Sequence, residues 1–115
     1  MSLTTSEAPR RTILTETVVW EGITILVSFE PDWLGLGAAA LDDDACAHLE
    51  LQVLEPKGAP LPLTDTGYWS DFLSLSEAQE AGGPAAVAVE LLEEFAQTQT
   101  WRVRRARWEQ RDLFE

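Results

Sequence analysis

The sequence has little of what most catalytic and metal sites require. Among its 115 residues there is one cysteine, Cys46, and one histidine, His48. An intrachain disulfide is therefore impossible, and a Cys/His metal set of the usual size cannot be assembled. No Gly-rich phosphate loop and no nucleophile–base signature is present either. These absences predict a protein that is not an enzyme, with no catalytic residue, no metal site and no cofactor.

Long apolar runs are also missing. No stretch of about 18 apolar residues occurs, so the sequence predicts no membrane span. The first 11 residues are polar and lack the apolar segment of a secretory signal, so no signal peptide is expected. A single cysteine favours a reducing compartment. We therefore expect a cytoplasmic protein.

Basic residues are scarce along most of the chain. Residues 12–101 hold 16 acidic side chains and only Lys57 as a base, within a net charge of −12. Five arginines follow between residues 102 and 111. An acidic body repels nucleic acid and anionic lipid, so we expect it to bind neither DNA nor membrane directly. The charge either keeps the protein soluble or recognises a basic protein partner, including a nucleic-acid-binding protein blocked by a surface that imitates phosphate.

Three segments have the composition and alternation of strands. Residues 12–20 are rich in Thr and Val, residues 23–30 place Ile and Val at every second position, and residues 45–54 alternate again. Between the first two, Glu21-Gly22 fits a tight hairpin turn, because glycine adopts a positive φ without strain. The pattern predicts a three-stranded antiparallel sheet.

Helical signals follow in the second half of the chain. Ser74 and Glu77 form a capping-box pattern for a short helix, and Pro84 opens a helix over about 84–97 whose apolar stripe includes Leu92 and Phe95. Thr98 or Thr100 would cap a last helix over about 100–111. We predict an α+β fold in which two C-terminal helices pack on the sheet. Residues 1–10 would be a flexible lead and residues 11–115 one domain.

The tail carries the most specific motif. Residues 110–114 read Gln-Arg-Asp-Leu-Phe, which resembles the peptide that bacterial replication and repair proteins insert into the sliding clamp. That resemblance implies that Leu113 and Phe114 enter an apolar pocket while Gln110 bonds beside it. In this interpretation the tail, residues 110–115, is exposed. The alternative is that Leu113 and Phe114 close the core beneath the last helix.

A second segment points to a family. Residues 64–72 read Thr-Asp-Thr-Gly-Tyr-Trp-Ser-Asp-Phe. They resemble the Thr-x-Thr-Gly-Tyr-Arg-Ser-His-Phe segment of an uncharacterised family of small proteins from bacterial plasmids, phages and integrated elements. The chain has Trp69 and Asp71 where that family has Arg and His. Any activity that needs those two basic side chains is therefore absent. The resemblance, over about residues 50–115, implies a mobile-element setting and no established chemistry.

Two further side-chain groups have alternative interpretations. Cys46, His48 and Glu50 share one strand face, which is more typical of a solvent-facing strand than of a metal site. In the last helix, Trp101, Arg105 and Trp108 fall on one side and are a candidate second interaction face. Its arginines would either stack on nucleic acid with the indoles or pair with the acidic body.

Together these patterns favour a non-enzymatic protein-binding protein of a bacterial mobile element. Its leading partner is the DNA sliding clamp, bound through Gln110, Leu113 and Phe114. The alternative is an acidic nucleic-acid mimic that inhibits a basic defence protein, as anti-CRISPR and anti-restriction proteins do.

Overall fold

The computed structural model describes residues 12–33 and 45–113, with side chains described as far as Arg111. Four strands follow one another across a single antiparallel sheet: β1 Leu14–Trp20, β2 Ile23–Glu30, β3 Cys46–Glu55 and β4 Tyr68–Ser74. Three helices complete the fold: α1 Leu75–Glu80, α2 Pro84–Phe95 and α3 Gln99–Leu113. The predicted α+β class, antiparallel sheet and C-terminal helices are confirmed. The predicted lead, residues 1–10, lies outside the described residues.

The first hairpin forms as its sequence predicts. Glu21 and Gly22 have φ values of 49° and 81°, the pair of positive angles that a two-residue hairpin turn requires. The register then places Trp20 opposite Ile23 and Val18 opposite Ile25. Because side chains alternate along a strand, this register sends every second residue of β2 toward the helices. These inward residues are buried: Ile23, Ile25, Val27 and Phe29.

The prediction of a three-stranded sheet is wrong, because β4 adds a fourth strand beside β3. Its register pairs Leu51 with Trp69 and Ala47 with Leu73, which places Trp69 and Leu73 on the helix side of the sheet. Asp71 lies between them on the same side, opposite Leu49. A charged residue at an inward position breaks the apolar alternation by which strands are recognised. For this reason the pattern of residues 68–74 does not by itself predict a strand.

The helices begin where local capping predicts. The Ser74 hydroxyl accepts a hydrogen bond from the Glu77 N–H at 3.1 Å, and the Glu77 carboxylate accepts one from the Ser74 N–H at 3.2 Å. Pro84 occupies the first turn of α2, where its missing N–H costs nothing. The Thr98 hydroxyl accepts from the Trp101 N–H at 3.2 Å and starts α3. Each of the three helices therefore begins at a residue whose chemistry suits a helix start: Ser74, Pro84 and Thr98.

The core lies between the sheet and the helices. α2 packs on β1 and β2, whereas α1 packs on β4. Trp20 and Trp101 meet at the end of this layer with ring centroids 5.7 Å apart, and the Trp20 indole N–H donates to a Glu93 carboxylate oxygen at 2.9 Å. Because α2 lies over β1 and β2 and α1 lies by β4, on the same face of the sheet, the region between the two helices is only partly covered.

Candidate functional site

The partly covered region is an open cleft of about 690 Å³ bounded by β4, α1 and α2. We call it the acidic cleft. Its lining is formed by Leu49, Leu63, Trp69, Asp71, Phe72, Leu73, Glu77, Glu80, Ala81, Glu90, Leu91 and Phe95. The volume is within the range of about 300–1,000 Å³ that is typical of ligand pockets.

Apolar side chains form the floor of the acidic cleft. Leu49 is buried at its base, while Leu63, Trp69 and Leu91 are half-buried and pack against the core. Phe95 is 41% exposed at one side. Large apolar side chains that remain this accessible, grouped in a concave region, are typical of binding sites and less typical of an ordinary surface.

Four carboxylates surround this floor, and within residues 12–33 and 45–113 no Lys, Arg or His lines the cleft. Asp71 and Glu77 accept hydrogen bonds from main-chain N–H groups of β4. The side chains of Glu80 and Glu90 make no hydrogen bond or ion pair to any other residue of the described part of the chain. The cleft therefore combines apolar surface with unneutralised negative charge, and it is complementary to a cationic, partly apolar ligand.

The edge of the sheet beside the cleft is already occupied by side chains. The main-chain N–H groups of Tyr68, Phe72 and Ser74 donate to the side chains of Thr66, Asp71 and Glu77, at 3.3, 2.8 and 3.2 Å. Tyr68, Phe72 and Ser74 have the same parity along β4, so their N–H groups point to the same side, away from β3; Ser70 has this parity too but is not among the three. An added strand would have to displace these acceptors. Local side chains thus protect the edge against strand pairing at three of its N–H groups.

The predicted tail site lies at the end of α3. Gln110 is exposed and helical, because α3 continues to Leu113. The side chain of Leu113 and the whole of Phe114 lie outside the described residues, so this structure does not place two of the three predicted anchors. The helical conformation at Gln110 differs from the extended one in which a clamp peptide binds.

The predicted second face lies mainly on the inner side of α3. Trp101 is only 4% exposed and belongs to the core. The Arg105 guanidinium pairs with Glu21 at 2.7 Å and with Glu109 at 3.2 Å, and Trp108 is half-buried. Arg105 therefore contacts the acidic body through Glu21, in keeping with one of the two interpretations of this helix, and Trp101 is not available to a partner.

The open face of the sheet carries a different cluster. His48 lies between Trp33 and Phe72, with ring centroids 4.4 and 4.8 Å away, and its Nδ1 is 3.7 Å from a Glu50 carboxylate oxygen. In residues 12–33 and 45–113 no three His, Cys, Asp or Glu side chains are grouped so as to hold a metal ion. His48 therefore serves as an aromatic contact on this face.

The acidic cleft was not predicted from the sequence. Its floor combines Leu49, from a predicted strand, with Leu63, Trp69 and Leu91, and its carboxylates come from β4, α1 and α2. The available signal was Asp71 between Trp69 and Leu73, an inward charge that needs open space. Recognising it required the strand assignment of β4 first.

No helix in the described part of the chain is long and apolar enough to cross a membrane.

The fold defines a class of small α+β domain: a four-stranded antiparallel meander covered on one side by helices, with the acidic cleft beside its last strand. The chain belongs to the KlcB third domain family, whose model matches residues 13–101. That match includes every residue that lines the cleft, whereas Gln110 and the tail lie beyond it. No curated protein and no solved structure matches the chain.

Proposed function

We propose that the chain is a non-enzymatic protein-binding domain of a bacterial mobile element. The observation that carries this proposal is the acidic cleft, in which an apolar floor open to solvent is bordered by four carboxylates and, among the described residues, by no cationic side chain. A partner that covers the floor removes apolar surface from water, which stabilises the complex by roughly 25 cal/mol for each Å² buried. The carboxylates restrict the partner to one with positive charge. The resemblance of residues 64–72 supports the mobile-element setting.

Capture from a bacterial host tests this function. The tagged wild-type chain would be compared with the cleft variant Glu80→Gln/Glu90→Gln and with the matched control Glu16→Gln/Glu55→Gln, which makes the same charge change at exposed positions outside the cleft. We expect at least one host protein to co-purify with the wild type and the control and to be depleted with the cleft variant. Identical sets of proteins from all three chains would refute a function based on the cleft.

The sliding clamp is the candidate partner that the tail motif favours. Gln110 is exposed, and the last α3 side chain packed against the core within the described residues is Trp108. Binding in an extended form would require the final turn of α3 to unwind. Helix ends fray readily, so such unwinding costs little. The clamp would then hold Leu113 and Phe114 in its apolar pocket and bond Gln110 beside it.

Titration of purified clamp with the intact chain tests the tail. We expect Leu113→Ala/Phe114→Ala to weaken binding by roughly a hundredfold, because truncating two anchors of a small hot spot removes most of its binding energy. Arg111→Ala, at the variable position of the motif, is the matched control and should bind as the wild type does. Equal binding by all three chains, or none, would exclude the clamp as the partner through this motif.

The alternative is an acidic inhibitor that occupies the nucleic-acid site of a basic defence protein. The observation in its favour is the grouping of Asp71, Glu77, Glu80 and Glu90 around one cleft. Such an inhibitor would release nucleic acid from the captured protein when added in equal amount. A captured partner that keeps its nucleic acid would exclude the alternative.

A further inference from the structure

Within the described residues, the acidic cleft leaves two kinds of group without a partner: carboxylates and apolar side chains. Glu80 and Glu90 have no cationic neighbour in the described part of the chain, and Phe95 stands 41% exposed above an apolar floor. We infer that the occupant of the cleft is a cationic amphipathic helix of a partner protein. This inference rests on the proposed protein-binding function and adds the chemistry and the conformation of the ligand.

Apolar side chains of the ligand would fill the floor. Leu63, Trp69 and Leu91 are half-buried already, and a volume of about 690 Å³ admits several large side chains. A helix presents residues three and four apart on one face, so its apolar stripe can enter the cleft as a continuous ridge. Lysine or arginine on the two flanks of that stripe would then face the carboxylates.

The protected edge of β4 favours a helix over a strand. An extended ligand would need main-chain hydrogen bonds from β4, and its N–H groups at Tyr68, Phe72 and Ser74 already donate to side chains at 3.3, 2.8 and 3.2 Å. A hydrogen bond from one of these N–H groups to the ligand would only replace the existing bond to a side chain, so the number of hydrogen bonds would not increase. A helix satisfies its own main chain and needs only side-chain contacts from the cleft.

The protein's own basic helix fits the cleft less well than a helix from a partner. The inner side of α3 is occupied, because Trp101 is in the core and the Arg104 guanidinium donates to the Leu61 carbonyl at 2.7 Å. Among the side chains described for α3, its outer side offers Val103 and Ala106 as apolar contacts. Two copies that each carry a net charge of −12 also repel one another.

A defined probe tests the inference without knowing the natural partner. The probe is a short amidated peptide of leucine and lysine with leucine at helical spacing, labelled for fluorescence anisotropy and titrated with the full chain. A peptide of the same composition with strictly alternating leucine and lysine reports on a strand-like ligand. We expect the helical peptide to bind about tenfold more tightly than the alternating one, because only the first avoids the protected edge.

Three variants locate the bound peptide. We expect Glu80→Gln/Glu90→Gln to weaken binding by roughly tenfold, and Phe95→Ala by roughly fivefold. The control Glu16→Gln/Glu55→Gln should stay within about twofold of the wild type, because exposed charges away from a site contribute little. Far-UV circular dichroism would establish that each variant is folded. Equal weakening by the control pair would identify the binding as diffuse charge attraction and overturn the inference.

Further outcomes are decisive as well. Tighter binding of the alternating peptide would replace the helix with a strand and overturn the inference. If a peptide of residues 98–113 displaces the probe, and the wild type self-associates in sedimentation while the cleft variant does not, the occupant is a second copy. If neither probe binds while cleft-dependent capture from the host succeeds, the protein-binding function stands and only the cationic-helix ligand is refuted.

Discussion

Replacing Trp101 with alanine is expected to destabilise the fold by about 3–5 kcal/mol, the usual cost of truncating a buried tryptophan. Trp101 is 4% exposed and contacts Trp20 with ring centroids 5.7 Å apart. It stands in the first turn of α3, so its loss also removes the main apolar contact that holds this helix to the sheet. A small domain has about 5–15 kcal/mol in total. The variant should therefore lie near its unfolding threshold.

Urea denaturation followed by far-UV circular dichroism measures this loss. Trp108→Ala is the matched control, because Trp108 is on the same side of the same helix but only half-buried, with its ring near Gly58. Its truncation should cost about 1 kcal/mol, as less contact is removed. Similar losses for the two variants would mean that α3 is held equally along its length, contrary to the contacts described here.

The same comparison bears on what the helical pattern of α3 could predict. Periodicity placed Trp101, Arg105 and Trp108 on one side, and the structure agrees that they share a side. Periodicity alone does not tell which side of a helix meets the core when both carry apolar residues. Burial of Trp101 against Trp20 decides it, since tryptophan removes more apolar area from water than Val103 and Ala106 together.

Local signals predicted the hairpin and the helix starts well. Gly22, Ser74 and Pro84 each impose a conformation through chemistry within a few residues of themselves. The alternation of apolar residues in β2 is also visible within a few residues of sequence. It is regular because Ile25 and Val27 face a core that covers their side of the strand completely. Where one side chain or a short run determines the backbone, reading the sequence is sufficient.

The fourth strand and the cleft depend on tertiary structure instead. Asp71 is tolerated on the helix side only because α1 and α2 leave the space above it open. That opening results from the placement of α2 on β1 and β2 and of α1 on β4, and neither placement follows from the spacing of residues along the chain. The candidate site was therefore not predictable until β4 was in its place.

Replacement by alanine should destabilise the fold much more at Leu92 than at Phe95, although the helical pattern placed both in one apolar stripe. Leu92 is a fully buried residue of α2, so Leu92→Ala is expected to cost about 2–5 kcal/mol of unfolding free energy. Phe95 is 41% exposed at the acidic cleft, so Phe95→Ala should cost about 1 kcal/mol or less. The reason is that only Leu92 leaves a cavity that the surrounding core cannot close.

Denaturation and peptide binding, measured on the same two variants, separate a core residue from a site residue. Leu92→Ala should retain the affinity of the wild type for the leucine–lysine helix under conditions where it is folded, because its side chain does not line the cleft. Phe95→Ala should lose affinity while keeping nearly all its stability. If Phe95→Ala proves as destabilising as Leu92→Ala, Phe95 belongs to the core in solution and the cleft is closed, which would remove the apolar contact on which the binding proposal depends.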